Sequence, residues 1–301
     1  MQKPLLTTTT LLFGLLSACT SYSQDLKIAS WNIAWLGSHE YNKRNTNDYQ
    51  QLANYAKQLN ADVIALQEVE SSEWARKVFG DNYDYYFSTK KWVQRVGFAV
   101  KKSAGLTVIA QEYKALDVNS VRHGMDITLS RNGKELTLLA VHLKSGCFNE
   151  PLDDKSIALM ANTSTKEIRR KVACSILSKQ IEPLDNWLDQ QAKENKAYIV
   201  LGDFNRRFIN DISLKYSEEQ GLWQALDDEE QKPLWAPTLA VKSDCWGGYY
   251  KDYIDHIIFN PQAKNMYQAN SFNQLVFKGK YTKEISRSLS DHCPISVKLM
   301  L

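Results

Sequence analysis

Two stretches of this chain end in the same way, and together they restrict the fold more than any other feature. Asp62-Val-Ile-Ala-Leu66 runs into Gln67-Glu68, and Ala197-Tyr-Ile-Val-Leu201 runs into Gly202-Asp203-Phe204-Asn205. Each is an apolar strand that carries polar groups at its end, and each follows a segment with helical spacing. The first helix repeats Leu52, Tyr55, Ala56 and Leu59 over Tyr49 to Leu59; the second repeats Ile168, Val172, Ile176 and Leu177 over Thr165 to Gln191. Further strands read from Leu26 to Ile33, Gly97 to Val100, Met125 to Leu129, Leu136 to Leu143, Tyr253 to Phe259 and Pro294 to Leu299. Many short strands with few helices between them point to an α/β sandwich, in which sheets pack on each other and helices cover the outside.

A length of 301 residues with 44% hydrophobic content is enough for a substantial core. No Gly/Ser or Pro linker, charge block or repeat divides the chain, so one domain is expected from residue 25 to 301. The stretch from Asn210 to Trp246 is the least periodic and reads as surface loops, with Asp227-Asp-Glu-Glu230 as a solvated turn. Lys and Arg number 37 against 34 Asp and Glu, for a formal charge of +3. That balance excludes a protein that coats nucleic acid by bulk charge, so any preference for polyanions must be local.

Residues 1–18 read as an export signal: Lys3 precedes a Leu-rich run through Leu11, Leu12, Phe13, Leu15 and Leu16 that is too short to span a bilayer. Leu16-Ser17-Ala18-Cys19 resembles a bacterial lipobox, which would make Cys19 the lipidated first residue of a membrane-anchored lipoprotein at the outer membrane or cell surface. The alternative is an ordinary secretory signal cut a few residues later, near Ser21-Tyr22-Ser23, releasing a secreted protein. Beyond Cys19 remain Cys147, Cys174, Cys245 and Cys293. An even count in an exported chain implies two disulfides. Of the three pairings, Cys147 with Cys174 and Cys245 with Cys293 is the expected one; no pair has the close spacing of a zinc knuckle.

Six segments set Asn, Asp, Glu or His beside an apolar strand: Ser30-Trp31-Asn32, Gln67-Glu68-Val69, Val141-His142-Leu143, Gly202-Asp203-Phe204-Asn205, Tyr253-Ile254-Asp255 and Ser290-Asp291-His292. Strand-end capping explains any one of them. Six together, with mutually consistent chemistry, call for a site, because a buried charge is costly unless paired or metal-bound. Carboxylate and amide oxygens suit a hard cation such as Mg²⁺ or Mn²⁺, and two histidines can move protons or polarise a phosphate.

In series, these segments resemble the signature of the endonuclease/exonuclease/phosphatase superfamily, which includes pancreatic-type deoxyribonuclease, apurinic endonucleases and neutral sphingomyelinases. The match runs from Trp31 to His292, and its most specific pieces are Leu201-Gly-Asp-Phe-Asn205 and Leu289-Ser-Asp-His292. The resemblance implies a four-layered α/β sandwich with two mostly antiparallel sheets, and a metal-dependent hydrolase of phosphate esters. It implies Glu68 as principal metal ligand with Asn32 and Asp291, and Asp203 and Asn205 holding the attacking water and the phosphate. Asp255 would fix the tautomer of His292 for proton transfer, while His142 and Arg122 would contact the phosphate. One departure is visible: deoxyribonucleases support the first histidine with a glutamate, and Val93-Gln94-Arg95-Val96-Gly97 has none, so His142 is expected to act as a phosphate contact more than as an acid. His39, His123 and His256 are expected outside the site.

Substrate choice rests on local charge. Arg206 and Arg207 follow the Asp203 segment, and Lys90, Lys91, Arg95 and Arg122 are expected on the site side, which suits a nucleic-acid strand, DNA before RNA. Trp92 and Cys245-Trp246-Gly-Gly-Tyr249-Tyr250 offer aromatic rings for bases or for a membrane surface. His142-Leu-Lys-Ser-Gly-Cys147 resembles exported bacterial nuclease-like members of the superfamily. The rival readings are a phospholipid phosphodiesterase of the sphingomyelinase type, for which no long apolar hairpin is found, and a surface binding protein without turnover. No protein partner is expected.

Overall fold

Along the first strand, β1 (Asp25–Leu36), alternate residues go to opposite cores: Leu26 and Ile28 enter one apolar cluster, and Ala29, Trp31 and Ile33 another. The same period of two runs through β2 (Val63–Val69), where Val63 and Ala65 oppose Ile64 and Leu66. Strands apolar on both faces must be covered on both faces, and that requirement builds the layers. The computed structural model of the chain describes residues 25–90, 94–153, 164–229 and 231–301. The expected leader with Cys19, and Lys91, Trp92 and Glu230, lie outside the described residues.

The remaining strands are β3 (Tyr83–Phe87), β4 (Val96–Lys101), β5 (Thr107–Tyr113), β6 (Gly124–Arg131), β7 (Lys134–His142), β8 (Tyr198–Asp203), β9 (Asp255–Phe259), β10 (Asn273–Gln274) and β11 (Ile295–Met300). They form a six-stranded sheet, β10-β11-β1-β2-β4-β3, and a five-stranded sheet, β5-β6-β7-β8-β9. Among the described residues only β1/β2 and β7/β8 run parallel; every other neighbouring pair is antiparallel. Between the sheets lies a core that includes Leu26, Ile28, Phe98, Ile127, Leu138, Leu201, Phe259 and Val297. Helices α1 (Thr46–Leu59) and α2 (Ser72–Phe79) cover the outer face of the six-stranded sheet, and α3 (Thr165–Lys193) covers that of the five-stranded sheet. The result is the expected four-layered α/β sandwich.

Local chemistry sets the boundaries. Helix α1 starts three residues before the expected Tyr49, because Asn45 and Asp48 form a capping box, and it stops where Asn60 adopts a left-handed conformation. The stretch from Asn210 to Trp246 corrects its reading as surface loops. Leu222, Trp223, Leu226, Leu234 and Ala236 pack in the core beneath α3, and Trp246 is buried in the opposite outer core. Its short helices, Phe208–Ser213 and Leu222–Leu226, are too brief for a periodic pattern to show. Both expected disulfides are present, Cys147–Cys174 and Cys245–Cys293. Among the described residues no helix is long and apolar enough to cross a membrane.

Candidate active site

Strand register lines up three of the expected site residues. In the five-stranded sheet His142 of β7 lies beside Asp203 of β8, and Asp203 lies beside Asp255 of β9. All three continue the inward-facing parity of their strands: Leu138 and Ala140 precede His142, Ile199 and Leu201 precede Asp203, and Ile257 and Phe259 follow Asp255. In the facing sheet Asn32 continues the parity of Leu26 and Ile28, with Gln67 of β2 as its neighbour. Where the apolar core between the sheets ends, these polar groups meet across the gap. Asn32 Nδ2 donates to Asp203 Oδ2 at 3.0 Å, His142 Nε2 lies 3.6 Å from Glu68 Oε1, and His292 Nδ1 pairs with Asp255 Oδ2 at 2.7 Å.

Glu68 alone breaks parity, being one residue beyond the inward-facing Gln67. Its backbone is left-handed (φ 59°), which re-aims the side chain into the site. The carboxylate is held by the Trp35 amide at 3.1 Å and by Gln94 Nε2 at 3.1 Å. Asn205 is left-handed too (φ 53°); its amide N–H donates to Asp203 Oδ1 at 2.8 Å and its Nδ2 to the Leu143 carbonyl at 3.1 Å. Gly202 lets β7 and β8 approach closely here, since a Cβ at its φ of 146° would lie 2.0 Å from the Val141 carbonyl oxygen.

Electrostatics divide the two histidines. Burial drives His142 well below the usual histidine value, and Arg122, His292 and Lys144 push the same way. Its Nδ1 is buried without a hydrogen-bond partner, as expected from the missing glutamate. His292 goes the other way: burial lowers it, but Asp255 and Asp203 outweigh burial and hold it well above the usual value. Asp203 is pushed up to about 7, chiefly by burial, with His292 opposing and Asp255 and Glu68 adding to the rise. Burial also raises Glu68, against His292 and with Asp291.

Buried carboxylates this crowded fit a divalent cation, whose charge would reverse their drift toward the neutral form. The donors are hard oxygens, suited to Mg²⁺ or Mn²⁺ rather than to a thiolate-bound metal. Among the described residues Asp203, Asp255 and His292 present ligand atoms within 4.8 Å of one another. The short Asp255–His292 bond commits two of those groups to each other. Asp203 and Glu68 are the buried carboxylates left over, and Asp291 stands at the rim with 47% of its side chain exposed. The cleft that holds them has a volume of about 350 Å³ and is walled by Arg207, Tyr250 and the Cys245–Cys293 disulfide.

A model of the Endonuclease/Exonuclease/phosphatase family matches residues 29–292. The chain belongs to this family. Members of this family are metal-dependent hydrolases of phosphate esters. Solved structures of the endonuclease/exonuclease/phosphatase fold superpose over most of the chain. A humanized TDP2 from D. rerio gives a TM-score of 0.56 at 16% identity, covering 91% of this chain and 98% of that one. The APE2 catalytic domain of Xenopus laevis gives 0.56 at 16%, covering 91% and 92%, and an endonuclease/exonuclease/phosphatase from Bacteroides vulgatus gives 0.55 at 13%, covering 92% and 99%. Among curated proteins, a sphingomyelinase of Mycobacterium bovis is 30% identical over 113 residues, which is 36% of this chain and 21% of that protein. The chain thus spans about a fifth of the length of the curated relatives it matches.

Of the expected site residues, Glu68, His142, Asp203, Asn205, Asp255, Asp291 and His292 line one cleft, with Asn32 buried behind Asp203. Arg122 lies beside it, donating to the His142 carbonyl at 3.1 Å and to the Leu143 carbonyl, and it lines a neighbouring cavity. Two readings are corrected. Arg206 is fully buried, paired with Asp211 at 2.6 Å and bonded to the carbonyls of Cys147, Glu150 and Gln220, so it meets no substrate. Trp246 is buried against Phe277 and donates to the Ser290 carbonyl, which removes it as a stacking platform. His256 is buried between Thr238 and the Arg206 carbonyl, and burial lowers it to about 3.

Three positioning residues escaped the sequence reading. Gln94 holds Glu68 from the stretch where deoxyribonucleases carry a glutamate. Ser290 donates to the Asn32 carbonyl at 2.7 Å and accepts from the His292 amide at 2.9 Å. Arg44 is buried and donates to the carbonyls of Ile33, Ala34, Trp35, Ser288 and Leu289, joining the β1 end to the segment before Asp291. A lone arginine bonding carbonyls carries no sequence signature; Ser290 was visible only as part of its motif.

Proposed function

We propose that this phosphoesterase is a nuclease that hydrolyses phosphodiester bonds of DNA, or RNA, with Mg²⁺ or Mn²⁺. The observation that carries this reading is the His292–Asp255 pair at 2.7 Å beside buried Asp203, which sets a charged imidazole next to a carboxylate able to accept a proton near neutrality. Asp203, oriented by Asn32 and the Asn205 amide, takes the proton from the attacking water. His292, kept charged by Asp255, stabilises the phosphoryl oxygen or protonates the leaving oxygen. His142 and Asn205 contact the phosphate, His142 as a neutral imidazole. A divalent cation, held by Glu68 with Asn32 and Asp291, would neutralise charge on the phosphate oxygens.

Arg207 in the cleft wall supports a nucleic-acid strand as substrate. So does the exposed Tyr249 ring stacked 4.2 Å from Tyr281, which suits bases. One related fold, D. rerio TDP2, is described in complex with a single-strand DNA product. The mycobacterial sphingomyelinase match favours a second reading, hydrolysis of a phospholipid headgroup. Protein lacking residues 1–24 is expected to nick plasmid DNA with Mg²⁺ or Mn²⁺ and to stop on chelation; sphingomyelin cleavage with inert DNA would overturn the nuclease reading.

The leader motif ending at Cys19 and the two disulfides support export, with Cys19 as a lipid anchor. Mass measurement of the mature N-terminus tests this: diacylglyceryl Cys19 is expected, and a mature chain starting at Gln24 rules the anchor out.

A further inference from the structure

A second cavity of about 350 Å³ adjoins the cleft, lined by Lys90, Gln94, Arg95, Arg122, His123 and Lys144 among others, and no acidic residue lies in its wall among the described residues. It shares structure with the site: Gln94 also holds Glu68, and Arg122 also donates to the carbonyls of His142 and Leu143.

The cations of this wall are not equivalent. Lys90 is neutralised by Asp117 at 2.6 Å, and His123 is held between Glu112 and Asp117, at 3.0 Å from the latter. Arg122 faces the charges of Asp203 and Glu68. Arg95 and Lys144 have no ion-pair partner among the described residues. The Arg95 Nε is buried and has no hydrogen-bond partner among the described residues, which is costly for a donor of this kind. Lys144 gives one N–H to the Ser145 carbonyl at 2.8 Å and keeps two others. Burial lowers the affinity of Lys144 for its proton, and the nearby Arg122 lowers it further, a crowding that an anion between them would relieve.

We propose that this cavity is a second phosphate subsite, in which Arg95 and Lys144 bind a backbone phosphate of a nucleic-acid strand next to the phosphate being cleaved. The inference rests on the nuclease reading and deepens it. A polynucleotide brings several phosphates in a row, and Arg95 can pair a phosphate through two N–H groups. A choline headgroup carries a cation instead, which this wall would repel. The enzyme should therefore prefer substrates with at least one phosphate flanking the scissile bond.

The test compares a single-stranded oligonucleotide with bis(4-nitrophenyl) phosphate, which has one phosphate only, using the full mature chain and its Arg95→Gln, Lys144→Gln and Arg95→Lys variants. For each Gln variant the ratio of kcat/KM on the oligonucleotide to that on the small diester should fall about tenfold, mostly through KM, and the log–log salt slope should flatten by about one. Arg95→Lys should restore most of the ratio. Equal losses on both substrates would assign these residues a structural role and overturn the subsite, as would no loss on either. Wild-type enzyme that hydrolyses the small diester but neither cleaves nor binds the oligonucleotide would overturn the nuclease reading itself.

Discussion

The two sheets each bring one histidine to the same cleft, a buried His142 and a partly buried His292, and they give it opposite characters. His142, at the end of β7, has two carboxylates near its Nε2, at 3.5 and 3.6 Å, and nothing on Nδ1. His292, just before β11, has Asp255 on Nδ1 at 2.7 Å, with Asp203 and Asp291 3.8 and 3.9 Å from its Nε2. Burial acts on both, yet one imidazole is driven neutral and the other is held charged. The geometry teaches that a carboxylate bonded directly to the ring, with further acids behind it, holds an imidazole charged, where two carboxylates at 3.5 and 3.6 Å do not.

The largest way to break the comparison is to remove His292. His292→Ala should lower kcat about a thousandfold or more, whereas His142→Ala should cost about a hundredfold or less, both with unchanged circular dichroism. Equal losses would erase the division of labour. Asp255→Asn is the next largest: keeping the geometry but not the charge should cost about a hundredfold in kcat, and a loss under about threefold would detach His292 from its partner. Imidazole NMR of the metal-free protein sharpens the contrast, with His292 titrating above and His142 below the ordinary value near 6.5.

The smallest expected effect comes from a third histidine, His123, which has a carboxylate on each nitrogen and no place in the chemistry. Burial pushes Glu112 and Asp117 up, but hydrogen bonds and charge from His123, with Thr89 on Glu112 and Lys90 on Asp117, bring both below their usual values. Depressed carboxylates add stability that is present above their unfolded values near 4 and lost as pH falls through the folded ones. His123→Gln should therefore reduce stability at pH 7 by about 1 kcal/mol and move the acid-unfolding midpoint upward, read by urea melts across pH.

What could be read beforehand follows the same geometry. Asn32, His142, Asp203 and Asp255 stood out because each sits beside an apolar strand; that strand alternation carries straight on into them is visible only in the register. Glu68 was legible by its motif, but its left-handed turn was not. Adjacency misled at Arg206: it follows the Asp203 segment by one residue of sequence, yet turns inward to Asp211, a partner only the folded loop supplies. Strands β3 and β5 went unread because their residues are mostly half-exposed, and their pattern gives no clear apolar face. Arg44 could not be read at all, since its partners are carbonyls up to 245 residues away.

The pairing of β1 with β11, which joins Asp25 to Met300, also sets a timetable. His142, Asp203 and Asp255 can be aligned once β9 ends at Phe259, but Asp291 and His292 reach the cleft only when the strand that follows them docks on β1. Closing so long a loop is among the slower events in folding. Until that strand docks, the cleft has Asn32, Glu68, His142, Asp203, Asn205 and Asp255 but lacks Asp291 and His292, so the site is completed by the last strand of the chain.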